Sequence, residues 1–121
     1  MEAKKKLKIA IDSPAAAGAG TLAKKISNYY NLYYLDTGKI YRYVAYLKIK
    51  YPKKFSDNFI KKKIKKLNVK ELKKKELISD QVGIEASIIS KRKYIRKIVH
   101  KFQIKCAYQP PKIYNGSCLD G

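Results

Sequence analysis

Read by periodicity, the chain opens with a short apolar run, Leu7 to Ile11, that predicts a buried strand, followed by a turn over Ser13 to Gly20. Leu22, Ile26 and Tyr30 then recur at intervals of four, which predicts a helix over 20–30 with those three residues on its inner face. A second strand is expected over Leu32 to Leu35, closing a strand, loop, helix and strand in about thirty residues, the βαβ pattern of a parallel sheet. Asp36, Thr37 and Gly38 are expected to cap a second helix in which Ile40, Val44 and Leu47 repeat until Pro52 ends it. Between Lys53 and Lys75 only Ile60, Ile64 and Leu67 form an apolar stripe, so this stretch reads as a peripheral amphipathic helix outside the core. Val82, Ala86 and Ile89 predict a short helix, and Ile95, Val99, Phe102 and Cys106 a longer one ending before Pro110-Pro111. Lys112 to Leu119 reads as a third strand, and neither an internal repeat nor a flexible linker interrupts the pattern.

Size and composition narrow this picture without changing it. A chain of 121 residues has room for one small domain or part of a larger one, and 45% hydrophobic residues suffice for a core. No apolar run approaches the ~18 residues of a membrane span, and the start lacks the apolar segment of a signal peptide, so a cytoplasmic protein is expected. Cys106 and Cys118 lack metal or redox spacing and are expected as free thiols, and His100, the one histidine, as an ordinary polar side chain. The net charge of +20 would ordinarily point to nucleic acid. Yet of 29 basic residues only Arg42, Arg92 and Arg96 are arginine, and the lysines run through nearly every segment. A chain-wide compositional bias accounts for them as solvated helix faces, so no dedicated nucleic-acid or membrane partner is expected.

The candidate chemistry lies in the first turn. A loop G-x-x-x-x-G-K-[ST] binds phosphate because its backbone N–H groups converge on the oxygens while the helix behind adds about half a positive charge. Its lysine neutralises the transferring phosphoryl group. Here the template covers Ser13, Pro14, Ala15, Ala16, Ala17, Gly18, Ala19, Gly20 and Thr21. Serine replaces the first glycine, and Ala19 stands where the lysine belongs.

Taken in order, I-D-S-P-A-A-A-G-A-G-T, L-D-T-G-K-I-Y-R, E-A-S-I-I-S, I-R-K-I-V-H-K-F-Q and C-L-D-G make the chain resemble the bacterial cytidylate kinases over essentially its whole length. In that family the loop usually reads D-G-P-[AS]-x-[AS]-G-K-G-T and the second motif L-D-[ST]-G-x-x-Y-R. The resemblance implies an α/β fold, a P-loop NTPase-like parallel sheet flanked by helices, incomplete at about three strands. Residues 1–121 would be the N-terminal part of one kinase domain, with a peripheral helical region for the nucleoside monophosphate at about 53–109. It implies transfer of the γ-phosphoryl of ATP to CMP or dCMP with Mg²⁺, by a monomer. Ser13 to Thr21 would cradle the ATP phosphates, with Thr21 supplying a hydroxyl. Arg42 would hold the CMP phosphate, Thr37 and Tyr41 would line the same pocket, and Ser87 and Arg96 would read the cytosine edge. Asp120 would orient the water shell of Mg²⁺, so Arg42 and Asp120 are the candidate catalytic residues. Arg92 reads as a surface residue.

Two departures qualify the resemblance. The family continues L-D-G with Arg-Asp whereas this chain stops at Gly121, so it reads as a fragment, inactive alone. Its first strand, central in the family's sheet, would become an exposed edge. Ala19 leaves two alternatives: another lysine, Lys24, Lys25 or Lys39, replaces the missing cation, or the protein binds nucleotides without turning them over. A third alternative, a lysine-rich polyanion binder, is disfavoured by the ordered motifs.

Overall fold

The computed structural model describes residues 7–11, 19–68 and 70–120. Its strands are β1 (Leu7–Ile11), β2 (Tyr33–Asp36) and β3 (Gly116–Asp120), and its helices α1 (Ala19–Tyr30), α2 (Thr37–Lys50), α3 (Asp57–Lys65), α4 (Asp80–Ile89) and α5 (Lys93–Tyr108). Two 3₁₀ turns, Glu71–Lys73 and Lys75–Ile78, join α3 to α4. Three parallel strands and five helices make the α/β, P-loop NTPase-like class that the resemblance implied. No helix among the described residues is long and apolar enough to cross a membrane.

The chain divides into two compact units, residues 1–37 with 103–121, and residues 38–102. In the first, the strand order is β1-β3-β2, so β3 lies in the middle and β1 at an edge. The apolar run predicted a buried strand, but Leu7, Lys8 and Ala10 are exposed and Ile9 and Ile11 half-buried, because β1 pairs on one side only among the described residues. Ile9 and Tyr34 both pair with Cys118, and Ile11 and Asp36 both pair with Asp120. Because strand side chains alternate, these residues share one sheet face. Ala23 and Ile26 of α1 pack on that face with Cys118, Ile9, Ile11 and Tyr34. The inner face of α1 therefore differs from the expectation. Leu22 and Tyr30 are exposed, while Ala23 and Ser27 are buried. A small residue at position 23 lets the helix backbone approach the sheet, close enough for Cys118 Sγ to donate to Ala23 O at 3.9 Å. The third strand also begins later than expected, at Gly116. Residues 112–115 form a turn instead, in which Tyr114 N donates to Pro111 O and Asn115 N to Asn31 O.

In the second unit the stripes of α2 and α4 are buried as expected, Ile40, Val44 and Leu47 on one and Val82, Ala86 and Ile89 on the other. The lysine-dense stretch is a correction. It is not one peripheral helix, because α3 ends at Lys65 and the 3₁₀ turns follow, the first held by Glu71 N donating to Asn68 Oδ1. Nor is it outside the core, since Ile60, Ile64, Leu67 and Leu72 are all buried, as is Leu77 just beyond it. Lysines on the outer face of α3 mask in composition what the inner face contributes to packing. Lys48 Nζ pairs with Glu85, tying α2 to α4. Cys106 and Cys118 are free, buried thiols, and His100 is exposed.

Candidate nucleotide site

At the C-terminal end of the sheet, β3 finishes on Asp120, in register with the ends of β1 and β2. Open parallel sheets bind ligands at that end. Helix α1 starts there too, and a Cβ built on Gly20 would stand 3.5 Å from Asp120 Oδ2. The carboxylate thus lies beside the first turn of α1, whose N–H groups carry partial positive charge. Tyr34 donates its O–H to the same Oδ2 at 3.1 Å, fixing the carboxylate from the β2 side. Burial, first, then the Asp36 charge and the bond to Asp120, push the Tyr34 phenol well above its usual range. At neutral pH it is therefore a neutral donor and never a competing anion.

Ser13, Pro14, Ala15, Ala16, Ala17 and Gly18 lie outside the described residues, as does the side chain of Ala19, whose backbone opens α1. Thr21 is exposed on the first turn of that helix. The expectation that Asp36, Thr37 and Gly38 cap α2 changes in detail. Asp36 ends β2 and Thr37 is already helical. The buried Thr37 Oγ1 accepts from Gln103 Nε2 at 2.7 Å, which orients its hydroxyl.

The other candidates belong to the second unit. Arg42 leaves α2 and donates through Nη1 to Leu77 O at 2.7 Å, with Ser79 O at 3.4 Å. Its guanidinium lies against Gly83 of α4, and Ser87 stands one turn further along that helix. Arg42 and Ser87 are thus brought to neighbouring positions on α4. Ser87 is exposed and its Oγ donates to Ile84 O at 2.7 Å. Tyr41 is half-buried, and Arg96 is exposed on α5 with no hydrogen bond from its guanidinium among the described residues. Arg92, expected at the surface, is half-buried and donates to Tyr94 OH at 3.3 Å, because the phenol oxygen two residues on gives it a partner.

The sequence assigns no role to Tyr34, Gln103 or Gly83, although Gln103 closes the motif I-R-K-I-V-H-K-F-Q. Tyr34 had a signal, since strand alternation puts it on the same face as Asp36 two residues later. For Gln103 and Gly83 no local pattern marks contacts across 66 and 41 residues.

Among the described residues no group of three or more His, Cys, Asp or Glu could hold a metal ion. Mg²⁺ needs no such cage, because it keeps most of its waters and takes one or two carboxylates along with substrate phosphates. Asp120 beside the first turn of α1, with the Thr21 hydroxyl on that turn, fits this mode. The first unit thus carries a held carboxylate at a helix N-terminus, and the second, taken by itself, a held guanidinium.

A family model described as cytidylate kinase matches residues 9–119. The chain is 42% identical over 116 residues to a cytidylate kinase of Bartonella tribocorum, an alignment covering 93% of this chain and 51% of that protein. It is 37% identical over 114 residues to one of a Bradyrhizobium species, covering 93% of this chain and 52% of the relative. A cytidylate kinase of Bartonella quintana is 41% identical over 116 residues, with 93% and 51% covered. The chain spans about half the length of the curated relatives it matches.

Proposed function

The chain belongs to the cytidylate kinase family, and from that premise we propose that the whole protein transfers the γ-phosphoryl group of ATP to CMP or dCMP. The observation that carries this is Asp120, a carboxylate held by Tyr34 beside the first turn of the helix behind the loop. Residues Ser13 to Thr21 cradle the ATP phosphates through backbone N–H groups, and Thr21 adds its hydroxyl. Arg42 takes the CMP phosphate with a permanently charged fork, and Thr37 and Tyr41 line the pocket. Ser87 and Arg96 read the cytosine edge, within a monophosphate-binding region at about 53–109. Asp120 would hold Mg²⁺ through the ion's water shell, and the ion would supply charge neutralisation at the phosphates. Such a protein works in the cytoplasm as a monomer.

A second reading rests on Ala19: a homologue that binds ATP and CMP but does not turn them over. Assay of the full-length protein with ATP and CMP separates the two. CDP formation supports the kinase, while affinity for both nucleotides without turnover sinks it and supports the inactive homologue. Steeply salt-dependent binding to polyanions with no preference for CMP would overturn both. The 121 residues alone, about half of a relative's length, are expected to form no CDP.

A further inference from the structure

Gly83 sits inside α4, where glycine costs a helix about 1 kcal/mol relative to alanine. Local rules broken inside a regular element point to a demand made elsewhere. A Cβ at position 83 would stand 3.0 Å from Arg42 Nη2, 3.3 Å from Nη1 and 3.4 Å from Cζ, so the guanidinium occupies the space a side chain would take. All three nearest atoms belong to Arg42 and none to backbone. A larger residue would therefore move the end of a flexible side chain and leave the helix intact.

The same seat fixes which donors remain. Nη1 is engaged by the carbonyls of Leu77 and Ser79, just ahead of α4. Nη2 and Nε, which make no hydrogen bond among the described residues, form the adjacent pair of N–H groups that binds two oxygens of one phosphate. We propose that Gly83 is a positioning residue for Arg42: its missing side chain lets the guanidinium lie flat on α4 with Nη1 on the two carbonyls and the Nη2–Nε edge turned to the phosphate of the bound nucleoside monophosphate. This rests on the reading that Arg42 holds that phosphate.

The test compares CMP and cytidine binding by the full-length protein in wild type, Gly83→Ala, Gly83→Val, Arg42→Gln and the Arg42→Gln/Gly83→Val double variant. Gly83→Val should weaken CMP about tenfold or more, the scale of one charge-assisted hydrogen bond, and leave cytidine unchanged. Gly83→Ala should lose less, with an unchanged or raised melting temperature. The double variant should bind CMP no worse than Arg42→Gln alone. If Gly83→Val binds CMP like wild type while Arg42→Gln is weakened, the role of Gly83 is refuted and that of Arg42 stands. If both glycine variants lose CMP and cytidine equally, or melt earlier, Gly83 is a packing residue and the proposal fails. If Arg42→Gln itself leaves CMP binding unchanged, the phosphate reading fails and takes the proposal with it.

Discussion

Ala19 removes a cation from a site whose single electrostatic groups are worth about 2.7–4 kcal/mol, so an active protein needs a replacement. Lys24 and Lys25 stand exposed a little over one turn into α1, and helical side chains lean toward the N-terminus, so both are candidates for that cation. Lys39, at the start of α2, is the third candidate. Alanine at the right one should lower turnover by about 100-fold with little change in melting temperature. Turnover unchanged in all three single variants of the full-length protein would dismiss the relocated cation. A second prediction concerns pH. Burial raises the Cys106 thiol from 9.0 to about 11, against the opposing charge of Lys105, and burial first among its causes raises the Tyr33 phenol from 10.0 to about 12. Both groups hold protons in the folded state that the unfolded chain has already released. Their stabilisation is complete below pH 9 and 10 respectively and declines as pH rises toward 11 and 12. Denaturant midpoints should fall between pH 9 and 11, and Cys106→Ala should flatten that fall; an identical slope in the variant would disprove the assignment. At this scale the sequence disclosed the motif residues but not their partners. Arg42 is legible in L-D-T-G-K-I-Y-R, whereas its seat on Gly83 and the Tyr34–Asp120 bond depend on distant segments meeting.

Elements were legible wherever one face is apolar and the ends carry their own signals. Helices α2 and α4 bury the residues their periodicity marks, and β1 spans the residues its apolar run marks. The failures have local causes. In α1 the buried face follows from close approach at Ala23, which favours small residues over the larger Leu22 and Tyr30. Beyond α3, buried Leu72 and Leu77 sit in 3₁₀ turns, whose short runs have no period to detect. Caps offer a check on the helix starts. Ser56 Oγ accepts from Phe59 N at 3.2 Å ahead of α3, and Ser79 Oγ from Val82 N at 3.3 Å ahead of α4. Ser79→Ala should cost about 1 kcal/mol in denaturant unfolding, and no measurable loss would mean that α4 is fixed by packing alone. The start of β3 is more demanding. A Cβ on Gly116 would stand 1.9 Å from Leu7 O, a backbone atom with no rotamer to yield. Gly116→Ala must push β1 from β3 at their first pairing, and a loss of at least about 2 kcal/mol is expected. A variant as stable as wild type would show that the two strands separate there without penalty.

For the whole molecule, two opposing terms decide how the 121-residue chain behaves in solution. Strand β1 is at the edge of the described sheet with Leu7 and Ala10 exposed, so its outer backbone groups form a template for pairing with another copy. Against this stands a net charge of +20, with 29 basic residues against nine acidic ones, which repels like chains at a distance. The repulsion is screened over about 10 Å at 0.1 M salt and about 3 Å at 1 M, whereas strand pairing and apolar contact act at touching distance. Salt should therefore remove the barrier while leaving the attraction in place. The parallel architecture was legible from the strand, loop, helix and strand sequence, but which strand lies between the others was not, because register and order depend on contacts between the two ends of the chain. That order makes the test specific to β1. Light scattering of the isolated chain should show monomers in dilute salt and growing association toward 1 M. Ala10→Lys, which adds charge on the exposed edge itself, should suppress the association. Growth equal in the variant would place the contact elsewhere, and no growth at any salt concentration would mean that the edge of β1 is already covered.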